Sequence, residues 1–159
     1  MKHKILVLTI LLQLLPYFGV AQTREQWLEL IGKMEEGKQE AIKEFGKESI
    51  PYWYVVNKIA FCYLSMSEYK TAEPLCHESY AYYTKYWGRD AKGYEDAVNN
   101  ICRLYRETGK YYKILPYLNE RLAIYNNSPI DKSYVLSDFG TYYQEMGEYN
   151  KAENYFYES

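Results

Sequence analysis

Histidine is nearly missing from this sequence. The 159 residues contain two, and only His77 lies beyond the first few positions. A serine or cysteine nucleophile needs a base held against it. His77 directly follows Cys76, and adjacent residues of a helix point in different directions. No Gly-x-Ser-x-Gly elbow and no phosphate-cradling glycine-rich loop is present. Cys62, Cys76 and His77 offer at most three metal ligands at poor spacing. Glu35, Glu36 and Glu145 sit in segments that read as solvated helix, where nothing gathers two carboxylates in a pocket. The expectation is a protein that is not an enzyme, with no catalytic residue, no metal site and no cofactor.

Cysteine is scarce too. The three residues, Cys62, Cys76 and Cys102, are an odd number and a poor disulfide framework. Each reads as a small apolar filler, with a Cys62–Cys76 or Cys76–Cys102 bridge as the alternative that export permits. Charge of one sign is also lacking: 19 basic residues face 21 acidic ones. They are interspersed, as on solvated helix faces, and no clustered Lys/Arg footprint is available for nucleic acid.

Long apolar runs are confined to one place. Lys2 and Lys4 precede the run Ile5–Leu15, which only Thr9 and Gln13 interrupt, and Pro16 ends it. Gly19-Val20-Ala21 then places small residues where a signal peptidase reads. Residues 1–21 are therefore expected to be a signal peptide cleaved after Ala21. The run is shorter than the ~20 residues of a spanning helix, and no cysteine stands at the junction to take a lipid. The chain is expected to be exported, periplasmic or secreted, with no membrane contact after cleavage.

What the sequence has in abundance is tyrosine, 21 residues. Tyrosine combines a large packing surface with a polar tip, which suits helices buried on one side and wet on the other. These tyrosines fall into a repeat. Val56-x-x-Ile59-Ala60-x-x-Tyr63 is followed by Ser67, Tyr69, Ala72 and Cys76. Val98-x-x-Ile101-Cys102-x-x-Tyr105 is followed by Gly109, Tyr111, Ile114 and Leu118. Leu136-x-x-Phe139-Gly140-x-x-Tyr143 is followed by Gly147, Tyr149, Ala152 and Phe156. The internal offsets are identical, and the copies stand 42 and then 38 residues apart.

Each copy reads as a helical hairpin. Apolar residues at i, i+3, i+4 and i+7 mark one helix face. The small residue within that face (Ala60, Cys102, Gly140) lets a second helix approach, opposite Ala72, Ile114 or Ala152. Ser67, Gly109 and Gly147 mark the turn, where glycine supplies a left-handed cap. The predicted helices are 24–46, 51–66, 69–87, 92–108, 111–126, 131–146 and 149–159, with Pro74 and Pro116 in first turns, where proline is tolerated. Turns fall at Gly88-Arg89-Asp90 and Asn126-Asn127-Ser128-Pro129. The leading segment 22–50, with Trp27, Leu28, Ile31, Met34, Ala41, Ile42 and Phe45 on one side, reads as a capping helix or as a degenerate hairpin turning at Glu36-Gly37.

The pattern resembles the tetratricopeptide repeat family, above all at Leu136, Phe139, Gly140, Tyr143, Gly147, Tyr149, Ala152 and Phe156. A spacing near forty residues is similar to the long variant of kinesin light chains rather than to the 34-residue form. Arg121 departs from the pattern, standing where the family has a small residue. The resemblance covers Trp53–Ser159 and implies an all-α solenoid of antiparallel helix pairs, with three repeats at 53–87, 95–126 and 133–159. It also implies a concave groove lined by first helices and a protein or peptide as partner. Carried onto this chain, the groove positions are Tyr54, Asn57, Phe61 and Leu64; Asp96, Asn99, Asn100, Arg103 and Arg106; and Tyr134, Ser137, Asp138, Thr141 and Gln144. Arg103 and Arg106, three apart on one helix, could together grip a carboxylate, the alternative being ordinary surface charge.

Ser159 falls inside the second helix of the third copy, which leaves Tyr149, Ala152, Phe156 and Tyr157 without a following unit. Either the array continues in a longer chain or this end pairs with another molecule, self-association included. The expected function is an exported scaffold that binds a protein or peptide. The alternative, implied by resemblance alone, is the sensing part of a longer signalling protein with a histidine kinase, transcriptional regulator or caspase-like protease downstream.

Overall fold

A computed structural model describes residues 23–88 and 92–159, all helix and turn with no strand among them. The expected export signal, and Arg89 and Asp90 of one expected turn, lie outside the described residues. The chain clusters into two compact units, Met1–Tyr82 and Tyr83–Ser159.

In the first unit, α1 spans Arg24–Phe45, α2 spans Ile50–Ser65 and α3 begins at Tyr69, running to Tyr86. Thr23 opens α1 with a capping box: its hydroxyl accepts from the Gln26 amide, and the Gln26 side chain accepts from the Thr23 amide at 2.9 Å. The helix runs unbroken through Glu36-Gly37, so the segment is one helix and not a hairpin. Its buried stripe is Trp27, Leu30, Ile31, Met34, Gly37 and Ala41. Leu28 and Phe45, expected on that side, are exposed. Leu28 lies one residue, about 100° of helix, from the Trp27 stripe, and Phe45 closes the last turn, beside Gly46. The stripe packs on Val55, Ile59 and Cys62 of α2. Trp53 of α2 stacks on Tyr82 of α3, ring centroids 5.0 Å apart.

In the second unit, α4 spans Lys92–Glu107, a 3₁₀ turn covers Tyr111–Lys113, α5 spans Leu115–Ile124, α6 spans Pro129–Glu145 and α7 spans Tyr149–Glu158. The segment 111–126, expected as one helix, is thus a 3₁₀ turn followed by a ten-residue helix with Pro116 in its first turn. Proline lacks an amide and fixes φ, so it favours a helix start at that point over continuation through it. Pro74 differs: it lies past the first turn of α3. It and Lys70, whose carbonyl loses a helical donor, are both exposed, so water can replace that bond.

The three hairpin turns share one geometry. Ser67, Gly109 and Gly147 all have positive φ, at 59°, 68° and 76°. The next amide donates five residues back in each case: Glu68 to the Tyr63 carbonyl at 2.9 Å, Lys110 to Tyr105 at 2.9 Å and Glu148 to Tyr143 at 2.8 Å. The left-handed residue itself donates to Leu64, Arg106 or Gln144. These are Schellman closures, which satisfy carbonyls that a helix end leaves open. The small contact residues are buried as expected: Ala60 with Ala72, Cys102 with Ile114, and Gly140 with Ala152. At Gly140 the ring of Phe156 occupies the space a Cβ would need, with a ring carbon 2.5 Å from that position. Around it Phe139 and Tyr143 each stack on Tyr155, at 5.0 and 5.3 Å.

Candidate functional site

The first helix of each hairpin carries the positions expected to face a partner. In the first unit α2 keeps little of that face free. Asn57 is fully buried and so is Leu64, which removes both from the expected groove. Phe61 is half-buried, edge-on to Trp27 at 6.1 Å. Phe61 is covered by α1, which lies on α2 and presents Trp27 to it. Tyr54 stays half-buried with the Lys58 ammonium 5.1 Å from its ring centroid.

In the second unit the expected residues divide between structural and available roles. Asn100 is buried, a correction to its place in the groove. It lies on the side of α4 that carries Tyr94, Ala97, Val98 and Ile101, all buried, and helix period takes it inward with them. Asp96 is half-buried. Asn99 donates to the Tyr125 hydroxyl at 3.0 Å, and that hydroxyl donates to Glu95 at 2.5 Å. Burial, and then the Glu95 carboxylate, push the Tyr125 phenol up to about 12. Tyr94 makes the reciprocal link from α4, donating to Glu120 on α5.

Arg103 and Arg106 do not act as a pair. Arg103 turns to Glu107 of its own helix at 2.7 Å, while Arg106 reaches Asp138 on α6 at 2.9 Å. Asp138 also receives Arg121 from α5, so one carboxylate ties three successive helices. The Arg121 and Asp138 side chains are 14% and 19% exposed, against 40% for Arg106. Arg121, the departure from the repeat pattern, therefore has a structural task. Its partner could have been sought in sequence among acids of the next helix, and Asp138 is the acid in the middle of α6. Sequence reasoning also missed Glu95 and Tyr125. Neither stands at a repeat position, so no periodic signal pointed to them.

What remains open lies on α6. Tyr134 is exposed and Ser137 and Thr141 are half-buried; the Thr141 hydroxyl donates back to the Ser137 carbonyl at 3.1 Å. Ile130, unremarked in the sequence, is exposed one turn before Tyr134 and extends the same stripe. The result is an aromatic and aliphatic end followed by hydroxyls, a surface suited to contact rather than to proton transfer.

All three cysteines are free and buried. Loss of solvation pushes each thiol up to about 12, which suppresses the thiolate that reaction requires. They serve as packing groups.

No protein-family model matches the sequence, nor does any curated protein. Among solved structures the fold is similar to the crystal structure of BtubC (BKLC) from P. vanneervenii, with a TM-score of 0.73 at 19% identity. The match covers 83% of this chain and 54% of that one, so the chain spans about half the length of its structural neighbour. The protein has an all-helical repeat fold. Among the described residues no helix is long and apolar enough to cross a membrane.

Proposed function

We propose that the chain is an exported scaffold of tetratricopeptide type, in the long kinesin-light-chain-like form, that binds a protein or peptide along the first helices of its hairpins without turning it over. The observation that carries this reading is the α6 stripe, Ile130, Tyr134, Ser137 and Thr141, left open at helical spacing while neighbouring groove positions are consumed by internal bonds. Exposed aromatic and aliphatic groups beside hydroxyls are the anchors and adaptable contacts that protein recognition uses. The family assignment rests on the three equal Schellman turns and on spacings of 42 and 38 residues, longer than the ordinary repeat.

Affinity capture from the native organism tests the reading. A partner retained by the intact chain should be lost by Ile130→Ser with Tyr134→Ala and kept by Tyr112→Ser, a change at an exposed site outside the stripe. A partner held equally by all three would dispose of this surface. Export is tested separately: the mature chain should begin at Gln22, and a start before Ile5 would contradict cleavage.

A further inference from the structure

Two arginines converge on one carboxylate in the second unit, and their charges do not cancel. Arg106 from α4 and Arg121 from α5 both bond to Asp138 on α6. Cys102, whose thiol lies in the field of all three, adds no charge, since burial holds it protonated. The cluster therefore carries one surplus positive charge. Arg121 and Asp138 are largely buried and form the inner pair, so the surplus appears on Arg106, the wetter end. Neighbouring charges on α4 do not absorb it. Arg103 and Glu107 pair with each other at 2.7 Å. Asp96 stands ten residues before Arg106 on the same helix, about 15 Å away along its axis.

The hairpin does not need this arginine in order to pack. Ser79 follows Ala72 by seven residues, as Arg121 follows Ile114, and Ser79 is fully buried at that position of the first hairpin. Nor does Asp138 need two cations, because Arg121 alone balances it. What the second bond does is orient Arg106. It reaches Asp138 through one nitrogen at 2.9 Å, which leaves the guanidinium further donors. A guanidinium already held in place loses less entropy when it takes another carboxylate.

Given a groove that binds a peptide, as proposed above, we propose that Arg106 receives an acidic side chain of that peptide and that Arg121 gives it this role by neutralising Asp138. Without the charge of Arg121, Asp138 cancels Arg106 and the preference for acid disappears. Arg121 is thus a positioning residue, on a second helix and at the place where the repeat pattern is broken.

The probe is a displayed library of random peptides, selected on the full chain. Recovered peptides should share an aspartate or glutamate. Replacing that residue by its amide in a labelled synthetic copy should weaken binding about tenfold by fluorescence anisotropy, the scale of one charge-assisted hydrogen bond. The same replacement should cost little against Arg106→Gln. It should also cost little against Arg121→Gln, which can still donate to Asp138 but carries no charge. Arg121→Lys, which restores the charge, should bring the preference back. Circular dichroism should match the parent chain in each variant; if Arg121→Gln does not fold, Arg121→Met takes its place and Arg106→Gln still reads the contact. Peptides that share no acid, or an acid preference that survives Arg106→Gln or the uncharged Arg121 variant, overturn this inference and leave the groove standing. A selection that recovers no peptide overturns both.

Discussion

Changing glycine to alanine should have opposite signs at different places in this chain. At Gly109 and Gly147, φ is 68° and 76°, and a built Cβ meets no other atom within 4 Å. Crowding by neighbours is therefore excluded, and the backbone alone sets the cost. An L-residue in the left-handed region costs about 1–2 kcal/mol, and alanine recovers roughly 0.5–1 kcal/mol by losing less entropy on folding. Gly109→Ala and Gly147→Ala should each destabilise by about 1 kcal/mol. Gly32 also faces open space, but it sits inside α1 with helical backbone. There alanine should stabilise by about 0.8–1 kcal/mol through helix propensity. Ser67 holds φ 59° without being glycine, so Ser67→Gly should stabilise by a few tenths to about 1 kcal/mol as left-handed strain is relieved. Urea denaturation followed by circular dichroism reads all four. Ser67→Gly and Gly32→Ala report on the first unit, and the other two on the second. Equal signs for Gly32→Ala and Gly109→Ala would refute the reasoning.

Further outcomes follow from side-chain contacts. Gly140→Ala places a methyl against the Phe156 ring and should cost about 1–3 kcal/mol as overpacking, with part regained in the double variant with Phe156→Ala. Asp138→Asn removes the negative charge that two arginines share, one of them largely buried. It should cost about 2 kcal/mol, below the 3–5 kcal/mol of a fully buried pair, while Arg106→Gln at the wetter end should cost at most about 1 kcal/mol. Cys62, Cys76 and Cys102 should resist a thiol reagent at pH 8 in the folded chain and all react in denaturant; prompt native labelling would contradict their burial. The same raised thiols bind protons more tightly folded than unfolded. Their contribution to stability is whole below about pH 9 and is lost as pH rises toward about 12. Urea midpoints should therefore fall across that window, and less so in a Cys102→Ala background.

The helical hairpins were legible because the signals that define them are local. Periods of three and four residues, small mid-face residues and turn glycines each act within a few positions, and helix bounds read from them differ from the structure by one or two residues at most places. Even Ser67, which is not glycine, was marked as a turn by its place in the repeat, and it adopts the same left-handed backbone. The exception, 111–126, failed because Pro116 acts on the helix start rather than on its face. The binding surface was less legible, since exposure depends on what lies against a helix. Nothing local to Asn57 says that it is buried, nothing in Arg106 says that Asp138 lies 32 residues on, and Ile130 became visible only as an exposed neighbour of Tyr134.

Amide hydrogen exchange at Glu68, Lys110 and Glu148 tests the repeat most directly. If one hairpin geometry recurs three times, these amides, bound to the carbonyls of Tyr63, Tyr105 and Tyr143, exchange well below the free-peptide rate at all three sites. Free-peptide exchange at any of them, with its flanking helices intact, would contradict a common fold for the three copies.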